Sequence, residues 1–202
     1  MSYSQKYLKE TSQIVARLEP SQIEKLARGI RLISQNHGRI FFLGVGGNAA
    51  NASHAVNDFR KIAGIECYCP TDNVAELTAR INDEGWDTVF SEWLKGSTLS
   101  KNDAVFVFSV GGGNREKNIS LNIVTALKYA KKIGSKIFGI VGPEGGATAK
   151  MADCCIKIPT VNPRTITAHV ESFQSTLWHL LVTHPDLKAH EMKWESIKRG
   201  KL

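Results

Sequence analysis

Long apolar runs are absent from this sequence. None of its 202 residues lies in a stretch approaching the roughly 20 consecutive apolar residues that cross a bilayer. The N-terminal segment MSYSQKYLKE also lacks the apolar centre of a signal peptide. These absences argue against an integral membrane protein and a secreted one, so we expect a cytoplasmic protein.

Cysteine is scarce, and its spacing excludes the common cysteine-based sites. The four cysteines are Cys67, Cys69, Cys154 and Cys155, in C-x-C and C-C patterns within apolar, strand-like runs. Neither pattern has the spacing of a zinc finger or a redox motif. We therefore expect buried, reduced thiols.

Composition and charge narrow the class of protein only partly. With 202 residues, 42% hydrophobic and 22% charged, the chain fits one domain better than two. The formal charge of +7 favours anionic ligands. Part of the excess lies in the final segment HEMKWESIKRGKL, so we expect a solvated basic tail over residues 184–202. Charge alone supports sugar phosphates and nucleic acid about equally.

Apolar runs and helical patterns alternate along the chain. Five runs indicate strands buried on both faces: Ile40 to Leu43, Glu66 to Cys69, Ala104 to Phe108, Lys136 to Val141 and Cys154 to Ile158. Helical spacing is found at 3–18, 21–36, 49–62, 74–81, 116–132, 145–151 and 165–182, with Ser21 able to cap the second helix. The alternation predicts an α/β fold with a doubly wound, five-stranded parallel sheet, preceded by an N-terminal helix pair.

Two glycine-rich loops follow predicted strands. They are GVGGN at 44–48 and SVGGGN at 109–114. Ligands of parallel α/β sheets bind at the carboxyl ends of strands, where glycines let the backbone approach an anion. Ala49 stands where a dinucleotide fingerprint has its third glycine, and the P-loop lysine is missing, so no nucleotide cofactor is expected. The loops indicate a phosphate on a small molecule, or else only tight turns.

Two predicted helices each carry a histidine and a carboxylate on their polar face. His54 and Asp58 are one turn apart on the first, and Glu171 and His179 share a face of the last. Two imidazoles and two carboxylates suit a divalent metal such as zinc, although each pair alone could be a solvated face. Glu171 and His179 are separated by roughly 12 Å along a regular helix. Sharing one ion would need convergent side chains or a neighbouring subunit.

These features together resemble one family. The glycine loops, the segment ELTARINDEGWDTVFSEWLKG (76–96), the GPEGG loop (142–146) and the closing helix are similar to the sugar isomerase (SIS) domain family, and within it to the phosphoheptose isomerases. The resemblance implies a single SIS domain over 1–202, with helices at 1–36 that serve oligomerisation. It also implies a homotetramer with active sites at subunit interfaces.

The resemblance implies an activity as well. Sedoheptulose 7-phosphate would be converted to D-glycero-D-manno-heptose 7-phosphate through an enediol, for lipopolysaccharide or capsule heptose. Zinc or another divalent metal would be held by His54, Asp58, Glu171 and His179, with Asp58 as base and His179 as its acid partner. The implied substrate- and phosphate-binding residues are Gly46, Gly47, Asn48, Asn82, Asp83, Ser109, Gly111, Gly112, Gly113 and Asn114. Neither a membrane nor a nucleic-acid partner is expected.

The sequence departs from the family pattern at the site. Val45 and Asn48 replace an Asn and a Ser of the first loop, and three of four phosphate-binding hydroxyls are missing. Asp58 is roughly 1.5 Å shorter than the family's Glu, and reach of that order affects a catalytic base strongly. Two alternatives stay open: a non-catalytic SIS protein that binds a regulator, such as a replication initiator, or an isomerase of another phosphosugar or nucleotide-activated sugar. His169, His184 and His190 are expected only to face solvent.

Overall fold

The computed structural model of the chain describes residues 1–193. Its helices are α1 (Tyr3–Val15), α2 (Pro20–Gln35), α3 (Gly47–Lys61), α4 (Val74–Glu84), α5 (Val89–Gly96), α6 (Leu121–Ile133), α7 (Gly146–Met151) and α8 (Ile166–Thr183). Its strands are β1 (Ile40–Leu43), β2 (Cys67–Tyr68), β3 (Ala104–Ser109), β4 (Lys136–Val141) and β5 (Cys154–Lys157). Two short 3-10 helices, Pro70–Asp72 and Pro163–Thr165, precede α4 and α8.

The strands form one parallel sheet in the order β2-β1-β3-β4-β5. Both faces are covered, because alternate side chains of β1 and β3 enter two different apolar clusters. Phe42 and Phe106 pack in the cluster with α2, α3 and α8, whereas Phe41 and Val105 pack in the one with α5 and α6. The predicted doubly wound five-stranded parallel sheet is therefore confirmed, as is the absence of clean alternation within its strands.

Helix prediction was incomplete around the middle of the chain. Helix α5 was not predicted, although its Phe90 and Trp93 are buried against the sheet. The helix predicted from residue 116 begins only at Leu121. Asn114 and Ile119 exchange backbone hydrogen bonds of 2.8 and 2.9 Å, so the chain turns back on itself before the helix starts. The polar run at 115–118 could not reveal this turn because its pattern also fits an exposed helix face.

The N-terminal helix pair is present, with shorter α1 than predicted. Pro20 occupies the first position of α2 behind Glu19, so Ser21 lies inside the helix and the prediction that it caps α2 was wrong. In α1 only Ile14 is buried. Leu8 and Val15, one above the other on the same face, are 65% and 57% exposed.

Two of the three histidines expected to face solvent do not. His169 is 3% exposed, stacks on Tyr7 at 4.4 Å between ring centroids, and lies 2.9 Å from Glu10. His184 is partly buried and lies 3.2 Å from a Glu24 oxygen. His190 is exposed, as expected. Tyr7 and Glu10 of α1 cover His169, and Glu24 of α2 lies beside His184. Helical periodicity does not predict these tertiary contacts.

The predicted basic tail begins later than residue 184. Leu187 is buried, and the backbone N–H groups of Ala189 and His190 both donate to the carbonyl of Ile62 at the end of α3. Residues 184–190 thus pack on the domain. The rest of the predicted tail falls largely on 194–202, which lie outside the described residues.

All four cysteines are free, and three are buried while Cys155 is partly exposed. No helix within residues 1–193 combines the length and apolar character needed to cross a membrane.

Candidate active site

Helices α3 and α8 run side by side in the same direction and present their polar faces to each other. Asn51 Nδ2 donates to the Glu171 carbonyl at 3.0 Å and to Gln174 Oε1 at 2.8 Å, and further along the pair the His54 ring is 5.2 Å from that of Trp178. Each helix follows a parallel strand, which gives both the same direction. The polar faces of α3 and α8, which helical periodicity alone would place in solvent, therefore contact each other. We call this contact region between the two helices the polar seam.

Three of the four predicted metal ligands meet in this seam. His54 Nε2 is 3.4 Å and His179 Nε2 is 3.2 Å from the same oxygen, Oδ2 of Asp58. One ligand atom from each residue lies within 4.8 Å of the other two. Asp58 is buried, whereas the side chains of His54 and His179 are 53% and 45% exposed. The cluster thus has a buried anion behind two imidazoles that are open to a ligand.

The hydrogen bond made by His179 Nδ1 selects the tautomer of this ring. Nδ1 lies 2.8 Å from the carbonyl oxygen of Ser175, one turn earlier on α8, and a carbonyl can only accept a hydrogen bond. The proton of the neutral ring is then on Nδ1, and the Nε2 lone pair faces Asp58 Oδ2. Two facing lone pairs repel each other unless a proton or a metal cation lies between them.

Trp178 and Asn57 both donate hydrogen bonds to the Asp58 carboxylate. Trp178 Nε1 donates to Oδ2 at 3.0 Å, and Asn57 Nδ2 donates to Oδ1 at 3.0 Å. Trp178 is 1% exposed and stacks on Phe108 of β3, with ring centroids 5.8 Å apart. Sequence reasoning assigned Trp178 no role in the site. An indole N–H one position before a candidate ligand was the signal available.

Glu171, the fourth predicted ligand, lies elsewhere in the seam. Its carboxylate is at the start of α3, where Oε1 accepts from Asn48 Nδ2 at 3.1 Å. Both carboxylate oxygens lie 2.7 Å from where a Cβ on Gly47 would be. Within one protomer the structure therefore brings together His54, Asp58 and His179 but not Glu171, and the metal role of Glu171 stays a prediction.

The one polar side chain of the first glycine loop, that of Asn48, forms its hydrogen bonds with other groups of the protein. Asn48 is 8% exposed; its Nδ2 contacts Glu171 and the Val45 carbonyl, and its Oδ1 accepts from Gln174 Nε2 at 2.8 Å. Gly46 has a φ of 63° and lies at the surface, as does Gly47. Only the backbone of this loop is left to face a ligand.

The second glycine loop accepts hydrogen bonds from the first turn of α7, directly after the GPEGG loop. Thr148 donates to the Gly112 carbonyl through both its backbone N–H, at 2.9 Å, and its hydroxyl, at 2.8 Å. The backbone of Ala147 donates to the Gly113 carbonyl at 2.7 Å. A Cβ on Gly112, which has a φ of 70°, would meet the Gly145 carbonyl at 2.0 Å. Gly112 is therefore required for packing as well as conformation.

The predicted binding residues of the second loop differ in their exposure and in their hydrogen-bond partners. Ser109 Oγ is buried and accepts from the Gly112 N–H at 3.0 Å, so it shapes the loop. Asn114 Oδ1 accepts from the Lys117 N–H at 3.0 Å, within the turn at 115–118. Gly111 alone is exposed with open space beside it.

Ser120 is a residue near this loop that sequence reasoning missed. Because residues 114 and 119 pair, the chain returns to the loop, and the Ser120 carbonyl is 3.4 Å from a Cβ built on Gly113. Ser120 precedes α6 with a φ of 48°, in the left-handed region that is rare for non-glycine residues. The backbone of Ser120 thus lies beside the glycine loop, although Ser120 is six residues beyond Asn114. The signal was a serine immediately before an apolar helix, the usual position of a cap.

Asn82 and Asp83 are on the exposed surface of α4. Asn82 Nδ2 donates to Asp83 Oδ1 at 2.8 Å. In the part of the chain that the structure describes, no hydrogen bond joins either residue to the other predicted site residues. Their predicted role in substrate binding remains a prediction.

The residues present fit a divalent metal ion. Two imidazole nitrogens and one carboxylate oxygen are a common catalytic zinc set, which leaves a further position for substrate or water. The hydrogen bond from His179 Nδ1 to a carbonyl is the usual outer contact of a histidine ligand. His54, Asp58 and His179 could therefore hold a metal ion.

Comparisons with known proteins agree with this fold. The family model described as the SIS domain matches residues 6–142. The chain belongs to the SIS domain family.

Among curated relatives, a phosphoheptose isomerase of Aneurinibacillus thermoaerophilus is 31% identical over 154 residues, 73% of this chain and 74% of that protein. The lincomycin biosynthesis protein LmbN of Streptomyces lincolnensis is 29% identical, with 91% of this chain aligned to 66% of that protein, slightly less than two thirds of its length. Among solved structures, the phosphoheptose isomerase GmhA of Neisseria gonorrhoeae has a TM-score of 0.76 at 24% identity. That superposition covers 89% of this chain and 94% of the other, and supports the fold.

Proposed function

We propose that this protein is a sugar-phosphate aldose–ketose isomerase that interconverts sedoheptulose 7-phosphate and D-glycero-D-manno-heptose 7-phosphate, in heptose synthesis for lipopolysaccharide or capsule. The observation that carries the proposal is the convergence of His54 and His179 on Asp58 Oδ2. Similarity to relatives named phosphoheptose isomerase supports the substrate.

The cluster has the groups that the reaction needs. In aldose–ketose isomerisation one proton moves between two adjacent carbons and another moves between their oxygens, so the overall composition is unchanged. Asp58 takes the proton from the carbon beside the carbonyl and returns it to the former carbonyl carbon. In the metal-free cluster, the Nε2 of His179 takes the hydroxyl proton and delivers it to the carbonyl oxygen. The buried position of Asp58 keeps bulk water from competing for its oxygen.

His54, Asp58 and His179 would hold the divalent metal, with zinc favoured by the imidazoles. A metal ion bound there would supply polarisation of the substrate carbonyl. Trp178 and Asn57 keep the Asp58 carboxylate oriented in either case, since each donates a hydrogen bond to one of its two oxygens.

The decisive assay incubates the purified protein with sedoheptulose 7-phosphate in D₂O, with and without added zinc, and follows product by NMR. We expect aldose product, with deuterium at the former carbonyl carbon in those turnovers in which the proton held by Asp58 exchanges with solvent before it is returned. Asp58→Asn should lower the rate by at least about a hundredfold, the usual size of a general-base contribution. Asp186→Asn, the same change at an exposed aspartate, should retain the wild-type rate. Absence of turnover with every metal tested would contradict the substrate assignment.

Metal content is measured separately by elemental analysis of the purified protein. His54→Gln and His179→Gln should each reduce bound zinc, because each removes one nitrogen ligand. His190→Gln should not, since His190 is exposed and outside the cluster. Equal zinc in all four proteins would contradict the metal role of this cluster.

We also propose that the protein is a homo-oligomer, most simply a tetramer, in which α1 packs on a second copy. A 13-residue helix with one buried residue is marginal by itself, and its Leu8 and Val15 form an exposed apolar stripe. Leu8→Glu should lower the molar mass measured by light scattering. Val74→Glu, at a position 70% exposed on α4, should leave the mass unchanged. A Leu8→Glu protein of unchanged mass would exclude α1 from the interface.

A further inference from the structure

We propose that Glu171 is a built-in anion that occupies the start of α3, excludes substrate phosphate from the first glycine loop, and so restricts phosphate to the second. This inference rests on the proposed function only for the identity of the substrate. It assigns Glu171 as a specificity-determining residue within one protomer.

The placement of the carboxylate is the main evidence. Both Glu171 oxygens approach Gly47, the first residue of α3, so closely that a Cβ there would lie 2.7 Å from each. Asn48, 8% exposed, donates its Nδ2 to Glu171 Oε1 at 3.1 Å. Gly47 is therefore the residue type that leaves room for this carboxylate.

The carboxylate is held by a network, not by one contact. Gln174, fully buried, donates to Asn48 Oδ1 at 2.8 Å and to the Ile140 carbonyl at 3.3 Å. Asn51 donates to the carbonyl of Glu171 at 3.0 Å. Since Asn48 is oriented by Gln174, its amide N–H₂ must face Glu171.

The electrostatics of the helix start explain the consequence. Backbone N–H groups at a helix N-terminus attract anions, and those of Gly47 and Asn48 form no hydrogen bond within residues 1–193. A phosphate arriving there would meet the Glu171 carboxylate at close range, and like charges at such distances repel strongly. The helix start thus has its negative charge already supplied by the chain.

The second loop has the opposite character. Gly111 is exposed with open space beside it. Arg115 and Lys117 are exposed on the turn that follows. Backbone N–H groups and two cations are groups that bind phosphate. Phosphate specificity is therefore assigned to the second loop.

The test uses inorganic phosphate as the probe, so that it does not depend on turnover. Calorimetric titration compares wild type with Glu171→Gln, which keeps the shape of the side chain and an oxygen for Asn48 but removes the charge. Glu171→Gln should bind phosphate about fivefold more tightly, the size of a typical charge effect at a helix terminus. Glu24→Gln, an equal charge change on exposed α2, should stay within about twofold of wild type. Unchanged or weaker binding by Glu171→Gln would overturn the proposal.

Crystals grown in phosphate show where the anion binds. In the wild-type protein alone, they already allow the two glycine loops to be compared. In wild type we expect phosphate at the second loop and none on the N–H groups of Gly47 and Asn48; in Glu171→Gln we expect it at both loops. Phosphate on Gly47 and Asn48 of the wild type would refute the inference. If Glu171→Gln gains phosphate while wild type does not convert sedoheptulose 7-phosphate, only the proposed substrate fails.

Discussion

Replacement of Trp178 by Phe tests whether its indole N–H determines the geometry of the His54–Asp58–His179 cluster. The hydrogen bond from Nε1 to Asp58 Oδ2 is 3.0 Å long, and the ring is 1% exposed. Loss of a hydrogen bond to a charged group costs about 1.5–3 kcal/mol. The smaller ring removes buried carbon and adds about 1–2 kcal/mol. We therefore expect the free energy of unfolding to fall by about 2.5–5 kcal/mol.

Urea unfolding at one fixed protomer concentration measures this change, because dissociation of an oligomer would otherwise shift the midpoint. Trp93→Phe is the matched control: Trp93 is 6% exposed and packs edge-on against Phe41 at 5.6 Å, away from the cluster. It should cost only the contribution of ring size, about 1–2 kcal/mol. In the isomerase assay Trp178→Phe should lower kcat about tenfold or more, since a displaced base loses rate.

A double-mutant cycle with Asp58→Asn isolates the hydrogen bond from the packing. We expect a coupling energy of about 1 kcal/mol or more between positions 58 and 178, since the two side chains are in contact. A coupling below about 0.5 kcal/mol, or a Trp178→Phe protein no less stable than Trp93→Phe, would refute the assignment of Trp178 as the residue that orients Asp58.

Three further predictions concern other parts of the domain. Asp103→Asn should reduce the free energy of unfolding, measured by urea unfolding, by about 3 kcal/mol. Buried Asp103 accepts hydrogen bonds from the backbone N–H and the guanidinium of Arg39 at 2.9–3.2 Å. Removal of the carboxylate charge leaves the guanidinium charge uncompensated. Hydrogen bonds from His169, and to a smaller extent from Asn162, lower the pKa of the Glu10 carboxyl from its ordinary value of 4.5. The contribution of Glu10 to stability is therefore complete above pH 4.5 and is lost as the pH falls through the lower pKa of the folded state. Glu10→Gln should flatten this acid dependence in thermal unfolding measured between pH 3 and 7, roughly the range where carboxylates titrate. Burial, followed by the neighbouring thiol, raises the pKa of Cys155 to about 12, so iodoacetamide should label it slowly in the native protein at neutral pH and rapidly in urea.

Each of these predictions has a control or an opposing result. Asp186→Asn disrupts an exposed ion pair with Arg31 and should cost less than about 1 kcal/mol, and equal losses for the two aspartate variants would contradict the argument from burial. Glu24→Gln should retain the wild-type acid dependence if Glu10 carries it. Rapid native labelling of Cys155, detected by peptide mass spectrometry, would show that its thiolate is accessible.

Much of the fold follows from the sequence because buried strands and amphipathic helices have strong periodic patterns. The runs at Ile40 to Leu43 and Lys136 to Val141 match their strands at both ends. Helix α5 was missed although Val89, Phe90, Trp93 and Leu94 recur at helical spacing, because the segment is only eight residues long. The late start of α6 was missed because one pair of backbone hydrogen bonds, between Asn114 and Ile119, is not encoded by apolar spacing.

The sequence by itself determined which residue types could perform chemistry and which helix faces carry them. His54 with Asp58, and Glu171 with His179, were predictable as pairs because residues one or two turns apart on a helix share a face. Only the tertiary structure decided which of them meet. The parallel packing of α3 and α8 sets His179 beside Asp58 and places Glu171 at Gly47, roughly two helical turns earlier. Spacing along one helix cannot give the register between two helices, because that register depends on the side chains packed between them, here Gln174 and Trp178.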